Sequence, residues 1–427
     1  MPRWPYTVAN DMSRVIDRCE ALARISDSPD GISRLYLSPA YRDGLRLVEQ
    51  WMQAAGMSTR VDAVGNQWGR LAADDPDAPV LILGSHLDTI PNAGKFDGIL
   101  GVVCAIEAVA RLHASGKILP FHIDVVGFGD EEGIRFAASM LGCRAVCGQW
   151  RDEWLELLDA DGISLREALT AQGHDPVAIS SASRAKDRLL GYWEVHMEQG
   201  PVLENESLPV GIVSAIAGAQ RYTITLQGEA GHAGTVPMNL RKDALAAAAE
   251  LVLTVERLGG AHDVVATVGR LQVYPGAVNV IPARVECTLD IRSTNDALLD
   301  EVMRQIIAES TQISVRRAVN IDWQNYHSAP ARQCAPRFRQ MFEHAINQIG
   351  LPVRTLPSGA GHDAMLMADI TEMAMLFVRC KGGISHHPAE FVSAEDAEIA
   401  VDIVLNALDE LAQTSGLQIK NAQGVVS

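Results

Sequence analysis

The chain has 427 residues, of which 48% are hydrophobic and 21% are charged. This is the composition of a globular protein and is too apolar for a disordered one. Acidic residues outnumber basic ones by 53 to 36, for a net charge of −17, which argues against non-specific binding to nucleic acid or to an anionic membrane surface. A chain of this length is expected to form about two or three domains.

The N-terminus and the cysteines favour a cytoplasmic location. Residues Met1 to Ile25 contain no basic stretch followed by an apolar one, so no secretory signal is expected. No run approaches the roughly 18 unbroken apolar residues of a membrane span. The seven cysteines are scattered and odd in number, which predicts reduced, buried thiols rather than a disulfide framework.

The first part of the chain has the pattern of an α/β domain. Apolar residues recur at helical spacing from Val8 to about Gly56 and again over Gly98–His113. Short continuous apolar runs, which are typical of strands buried on both faces, lie at Pro79–Gly84, Phe121–Gly129 and Leu189–Val195. This alternation predicts a mostly parallel sheet that is covered by helices on both faces.

The pattern changes near Ala215. Polar and apolar residues alternate, as in strands with one face in water, over Arg221–Leu226, Val264–Val273 and Ala283–Arg292. Helices are predicted over Leu240–Leu258 and Asp296–Ser310. The sequence therefore predicts an inserted α+β domain of residues 214–328 within a discontinuous first domain of residues 1–213 and 329–427. The polar tail after Gly416 is expected to fray.

Three apolar strands end in residues that bind metals or transfer protons. The segments that follow these strands are Ser85–Asp88, Asp130–Glu132 and His196–Glu198. Asp97 lies in a glycine-bounded loop, and His386 follows a fourth predicted strand. Because ligands bind outside the carboxyl ends of strands in open α/β sheets, these side chains are expected to meet at one edge.

Each of these segments also has a simpler interpretation. The His86-x-Asp88 pair can be a hydrogen-bonded loop pair, and Asp130–Glu132 can be a solvated acidic turn or a helix N-terminus, where carboxylates are favoured. The combination favours a metal site, since adjacent carboxylates repel one another unless a cation or water separates them. Histidine with carboxylate suits zinc and equally manganese, nickel or cobalt.

A series of motifs runs in one order from about residue 15 to 415. The motifs are Gly84–Thr89, Gly94–Gly98, Glu131–Phe136, His196–Pro201, Gly231–Gly234, Val278–Pro282, Asp290–Arg292, Ser358–Ala364 and Ser385–Glu390. In this order they resemble the metal-dependent amidohydrolases of the M20 peptidase-like superfamily, and within it the hydantoinase/carbamoylase group. The resemblance implies a zinc-peptidase-like catalytic domain with an inserted ferredoxin-like domain, which serves as lid and as the surface of a homodimer.

The resemblance also implies two divalent metal ions, zinc or manganese, with nickel or cobalt as alternatives. One ion would be held by His86, Asp97 and His196. The other would be held by Asp97, Glu132 and His386, with Asp97 as the bridge. The Ser-His-x-Pro register favours His386 over the adjacent His387, and His362 is interpreted as a loop-stabilising residue.

The remaining site residues take their roles from the same resemblance. Glu131 is the expected general base, which takes a proton from the attacking water and returns it to the departing ammonia, and Asp88 is expected to orient His86. The expected substrate-binding residues are Gln199, His232, Asn279, Arg292 and Gly361. Taken alone, Arg292 could form a surface salt bridge, Asn279 a turn, and His232 a local loop contact.

Among these residues, Arg292 and Asn279 are expected to bind a substrate carboxylate, because a planar guanidinium can donate two parallel hydrogen bonds to it. His232 is expected to reach the active site of the partner subunit and stabilise the oxyanion. Gly361 is expected to present its backbone close to the substrate.

The activity implied by the resemblance is hydrolysis of a terminal ureido group on a small carboxylate substrate, with release of ammonia and carbon dioxide. The segment Ser26–Tyr41, which includes Leu35–Ala40, and the Gly94–Asp97 loop resemble members that act on allantoate, which is the expected substrate. The alternatives are an N-carbamoyl-L-amino-acid hydrolase or a ureidopropionase. A dipeptidase or aminoacylase is disfavoured by Gln199, Asn279 and Arg292 together, and a non-catalytic relative by the presence of every expected ligand and base.

Overall fold

A computed structural model describes residues 14–262, 264–414 and 420–421. Residues 8–13 of the first predicted helix and most of the tail after Gly416 lie outside them. The α-helices are α1 Arg14–Ala23, α2 Pro39–Ala54, α3 Ile99–Ala114, α4 Leu141–Val146, α5 Leu165–Ala171, α6 Val202–Asn205, α7 Ala244–Ala261, α8 Asp296–Arg317, α9 Pro336–Gln348, α10 Asp363–Met367 and α11 Ala394–Thr414.

The strands include both the predicted ones and several short additional ones. They are β1 Ser58–Val61, β2 Gln67–Leu71, β3 Val80–His86, β4 Lys117–Ile118, β5 His122–Phe128, β6 Leu189–Met197, β7 Val210–Ile216, β8 Gly218–Gln227, β9 Gly231–His232, β10 Val265–Thr267, β11 Leu271–Tyr274, β12 Val280–Ile281, β13 Arg284–Ser293, β14 Asn320–Ala329, β15 Arg332–Gln333, β16 Thr355–Ser358, β17 Met373–Val378 and β18 Lys420–Asn421. Short 3₁₀ helices lie at Asp152–Glu156, Pro176–Ala182, Met238–Leu240 and Lys381–Gly383.

The chain forms two compact units. The first contains the described residues up to Ser214, then Cys334–Leu356, and the described residues from Gly361 onward. The second contains Ala215–Gln333 and the short segment Pro357–Ala360.

The first unit is built on a mixed sheet with a parallel centre. Its strands run in the order β1-β2-β5-β3-β6-β17-β7. The four central strands β5, β3, β6 and β17 are parallel, whereas β2 pairs with β5 and β7 pairs with β17 in the antiparallel sense. Every residue of β3 and β5 is buried, which explains their continuous apolar sequences. The prediction of a mainly parallel, helix-covered sheet is confirmed.

The predicted helical region at the N-terminus is interrupted. Helix α1 ends at Ala23 and α2 begins at Pro39, so the intervening segment was wrongly included in the helical region. The sequence Ser26–Gly31 contains Ser, Asp, Pro and Gly, which favour turns over helix. The hydroxyl of Ser26 accepts the N–H groups of Ser28 and Ser33, which closes this turn.

The second unit is an antiparallel sheet packed on two helices. Its strands run in the order β10-β13-β8-β14, and α7 and α8 pack against the sheet. Along β13 the residues alternate between the core and the more exposed face, with Val285, Cys287, Leu289 and Ile291 buried. This alternation is the period of a strand with one covered face. The prediction of a second, α+β unit is confirmed.

All seven cysteines are buried and unpaired, as predicted. None of the helices within residues 14–262 and 264–414 is both long and apolar enough to cross a membrane.

Candidate active site

The candidate site lies at the carboxyl ends of the central strands of the first unit. His86 is the last residue of β3, His196 lies near the end of β6, and Glu131 and Glu132 follow β5. Because β5, β3 and β6 are adjacent and parallel, these ends share one edge of the sheet. Asp97 reaches this edge from the loop before α3.

Asp97 is the centre of the cluster. Its Oδ1 lies 3.2 Å from Nε2 of His196 and 3.8 Å from Nε2 of His86. Its Oδ2 lies 3.0 Å from Nε2 of His386, which in turn lies 3.8 Å from Oε1 of Glu132. One carboxylate therefore faces three imidazoles, two through one oxygen and one through the other.

Hydrogen bonds orient the two buried histidines. Nδ1 of His86 lies 3.0 Å from the carbonyl of Asp88, and Nδ1 of His196 lies 2.9 Å from the carbonyl of Met197. A carbonyl can only accept, so each Nδ1 donates its proton to that carbonyl. The other ring nitrogen, Nε2, is the atom that faces Asp97 in both histidines.

The loop that carries Asp97 approaches His86 closely. Gly98 has a φ of +70°, and a Cβ atom there would lie 2.4 Å from Nε2 of His86. Only glycine both tolerates this conformation and leaves the imidazole in place. The glycine of the Asp97-Gly98 pair is thus required by the geometry of the cluster.

The electrostatics of the cluster favour binding of a cation. Burial acts to raise the pKa of Asp97, but hydrogen bonds from His196 and His386 outweigh it and hold that pKa well below its usual range. Burial opposes protonation of His196, yet the Asp97 hydrogen bond raises its pKa to about 9. Burial also raises the pKa of Glu132, to about 7. The clustered carboxylates therefore favour binding of a cation at this position.

The donor atoms fit a metal centre. Three groups of ligand atoms lie within 4.8 Å of one another, namely His86 with Asp97 and His196, Asp97 with Glu132 and His386, and His86 with Glu131 and Glu132. The first two groups are the two predicted ligand sets and share Asp97. Imidazole nitrogens with carboxylate oxygens suit zinc and manganese alike, so the residues present fit the implied ions.

Glu131 lies beside the candidate ligands. Its Oε2 is 4.0 Å from Nε2 of His86, and its side chain is 12% exposed. Burial and the neighbouring carboxylate of Glu132 raise its pKa well above the ordinary value. A carboxyl group that binds protons readily can act as a general base and then as an acid.

The structure places Asp88 differently from the expectation. Its carboxylate Oδ1 is 3.7 Å from Nδ1 of His86, beyond hydrogen-bond distance, and it is the Asp88 backbone carbonyl that holds the ring. The carboxylate instead accepts the backbone N–H groups of Glu131 and Glu132, at 3.1 and 3.2 Å. Asp88 therefore fixes the backbone that carries both glutamates.

The structure brings His386, rather than His387, to Asp97. Nδ1 of the exposed His387 accepts the N–H of Ala389, which is a local loop contact. Gln199 also reaches Asp97, with Nε2 3.2 Å from Oδ1, and donates to Ser385. His362 packs against His196, with ring centroids 4.5 Å apart.

Gly361 lies where the first unit resumes after the second. A Cβ atom at this glycine would meet only the methyl group of Met140, at 3.4 Å. The described surroundings of Gly361 therefore do not themselves require glycine, and its expected contact with substrate stays a prediction.

Arg292 lies at the end of β13 in the second unit. Its Nε and Nη2 donate to the two oxygens of Asp290 at 2.7 and 2.9 Å, and its Nη1 donates to the carbonyl of Gly359. Arg221 donates to the same carboxylate at 2.8 Å. A guanidinium has five N–H groups, so among the described residues one N–H on Nη1 and one on Nη2 remain for a further acceptor, such as a carboxylate.

His232 and Asn279 lie on one short ribbon of the second unit. β9 pairs with β12, which places His232 opposite Val280, and the carbonyl of Asn279 accepts the N–H of Ala233 at 2.9 Å. Nδ1 of His232 accepts the N–H of Gly234 at 3.1 Å. An Nδ1 that accepts leaves the proton of the neutral ring on Nε2, so His232 presents an exposed N–H donor.

Two carboxylates were not assigned roles from the sequence, although both lie inside the recognised motifs. The half-buried Asp290 accepts hydrogen bonds from Arg292, and the buried Glu390 accepts hydrogen bonds from the loops that carry Asp97 and His386. An acidic residue two positions before Arg292 on a strand lies on the same face, which is a usable signal for Asp290. Nothing in the sequence pattern reveals the partners of Glu390, because they are backbone N–H groups.

Comparison with known proteins identifies the family. Residues 82–410 match the profile of Peptidase family M20/M25/M40. An N-carbamoyl-L-amino acid amidohydrolase of Geobacillus stearothermophilus is 40% identical, over 94% of this chain and 98% of that protein. Allantoate deiminase 1 of Glycine max is 38% identical, over 93% of this chain and 89% of that protein.

A solved structure agrees with these relatives. The crystal structure of an amidase of the hydantoinase/carbamoylase family from Burkholderia multivorans superposes with a TM-score of 0.89 and 33% identity, covering 94% of this chain and 98% of that one. The chain belongs to Peptidase family M20/M25/M40 and, within it, to the hydantoinase/carbamoylase amidohydrolases, enzymes that hydrolyse carbon–nitrogen bonds other than peptide bonds.

Proposed function

We propose that this enzyme hydrolyses the terminal ureido group of a small carboxylate substrate, with allantoate as the first candidate. The observation that carries the proposal is the single carboxylate of Asp97 facing His86, His196 and His386. The first unit would supply the hydrolytic groups, and the second would supply Arg292 for the carboxylate. Allantoate deiminase 1 and the carbamoylase named above support the substrate class.

Two divalent ions would be held by the two ligand groups that share Asp97, with zinc or manganese as the first candidates. When bound, such ions supply Lewis acidity and make water a nucleophile near neutral pH. Glu131 takes the proton of the attacking water and delivers it to the departing ammonia. Asp88 keeps Glu131 in place through the backbone N–H of that residue.

Substrate recognition would rest on the second unit. Asp290 fills the Nε–Nη2 edge of the Arg292 guanidinium, and the remaining N–H groups would bind the substrate carboxylate. Asn279 and the N–H donor of His232 come from the same ribbon. We further propose that the second unit, predicted as residues 214–328, closes over the substrate and forms a homodimer, so that His232 serves the partner subunit.

The experiment that tests the proposed function is ammonia release by the zinc- or manganese-loaded enzyme. Allantoate is offered beside a panel of N-carbamoyl-L-amino acids, and kcat/KM is compared. A preference for allantoate is expected. A preference for a carbamoyl amino acid would replace the substrate and keep the site, and this second candidate is favoured by the 40% identity to the Geobacillus carbamoylase. Absence of ammonia from every ureido compound would contradict the reaction itself.

Substitution of Arg292 by Lys is expected to raise KM by about 10- to 100-fold with a smaller change in kcat, because lysine cannot donate the paired hydrogen bonds of a guanidinium. The measurement is steady-state ammonia release over a range of substrate concentrations. Arg221→Lys is the matched control, since Arg221 binds the same Asp290 carboxylate. Equal effects of the two variants would show that Arg292 serves only the ion pair with Asp290.

A further inference from the structure

Glu390 lies beside the candidate site and accepts hydrogen bonds from the loops that carry Asp97 and His386. The residue is 4% exposed and follows His386 by four positions. Its Oε1 accepts the backbone N–H of His386 at 3.0 Å. Its Oε2 accepts the backbone N–H groups of Phe96 and Asp97 at 3.2 and 3.4 Å. One side chain thus joins two loops that lie 294 residues apart along the chain.

The loop that Glu390 shares with His386 holds the most exposed of the candidate ligands. His386 has a side chain that is 50% exposed, whereas those of His86 and His196 are 3% and 1% exposed. His386 also has a φ of +56°, a left-handed conformation that is unfavourable for residues other than glycine. The position of its imidazole therefore depends on its backbone, and Glu390 binds that backbone.

The loop that carries Asp97 leaves space for the Glu390 carboxylate. A Cβ atom on Gly94 would lie 1.9 Å from Oε2 of Glu390. Gly94 is not in the left-handed region, so its own backbone conformation does not require glycine. The missing side chain at position 94 is explained by the space that Glu390 occupies.

We propose that Glu390 is a positioning residue that sets the separation of Asp97 and His386, and hence the affinity of the ion that both would bind. This inference rests on the proposed metal centre. A carboxylate is needed because both oxygens accept N–H groups. A glutamine would place its NH2 group against a backbone N–H in either orientation of the amide.

The test is titration of the metal-free protein with Zn²⁺ in competition with a chromophoric chelator. The wild type is expected to bind two ions per chain. Glu390→Gln is expected to weaken one of the two sites, the one to which Asp97 and His386 would both contribute, by about 10- to 100-fold, the usual effect of removing a group that orients ligands. Thermal unfolding of the metal-free variant establishes that it is folded.

Glu107→Gln is the matched control. Glu107 is a glutamate of the same unit, 2% exposed, and binds Arg14, Arg18 and Arg111. It is expected to lose stability and keep both zinc affinities. An equal loss of zinc affinity in this variant would show that general destabilisation, not the position of the loops, is responsible.

Gly94→Ala is an independent test of the same role, because its methyl group would displace the Glu390 carboxylate from its backbone N–H partners. It is expected to weaken the same zinc site, and to have no additional effect in a Glu390→Ala background. Unchanged zinc binding in both Glu390→Gln and Gly94→Ala would overturn the role of Glu390 and leave the metal centre standing. A wild type that binds no zinc would instead overturn the proposed centre.

Discussion

Glu131→Gln is expected to lower kcat by about 10²- to 10⁴-fold while the metal content stays unchanged. The amide cannot take a proton from water, and positioned general bases contribute this much. The Oε2 of Glu131 lies 4.0 Å from Nε2 of His86, and both predicted ligand groups form without Glu131. The measurements are ammonia release at saturating substrate and the metal content of the purified variant.

A Glu132→Gln variant distinguishes the role of an expected metal ligand from that of the expected general base, Glu131. Glu132 belongs to the group formed with Asp97 and His386, so this variant is expected to lose metal together with activity. Excess metal should restore part of its activity and none of that of Glu131→Gln. Near-normal turnover by Glu131→Gln would show that another group accepts the proton.

The location of the site could be predicted from the sequence because it follows from topology. Continuous apolar runs identified β3, β5 and β6 as central parallel strands, and their carboxyl ends necessarily meet. The antiparallel strand β2 could not be found in this way. Its sequence Gln67–Leu71 is fully buried over its first three residues and has neither an apolar run nor strict alternation.

The residues that hold the site together were harder to predict than those expected to form it. The carboxylates of Asp88 and Glu390 bind backbone N–H groups, which every residue offers and no sequence pattern marks. The carboxylate of Asp88 was expected to bind His86, but in the structure the backbone carbonyl of Asp88 makes that contact. Side-chain chemistry can thus be inferred from residue type, whereas backbone partners require the fold.

His232→Ala is expected to lower kcat by about 10²- to 10³-fold, the usual cost of removing one oxyanion donor. The structure identifies Nε2 of His232 as the donor atom, because the N–H of Gly234 donates to Nδ1 and leaves the ring proton on Nε2. His232→Gln retains an N–H donor and should recover part of the loss. A kcat within about twofold of the wild type for His232→Ala would exclude this role, since one donor is worth far more.

Whether His232 serves its own subunit or the partner can be decided by mixing two inactive variants. A dimer of one Glu131→Gln chain and one His232→Ala chain has an intact base in the second chain and an intact donor in the first. If the donor acts across a twofold interface, that dimer has one complete site, and random mixing restores about one quarter of wild-type activity. If the donor acts within its own chain, no dimer contains a complete site and the mixture remains inactive. The result therefore tests the dimer and the oxyanion donor together, and activity of each variant alone provides the baseline.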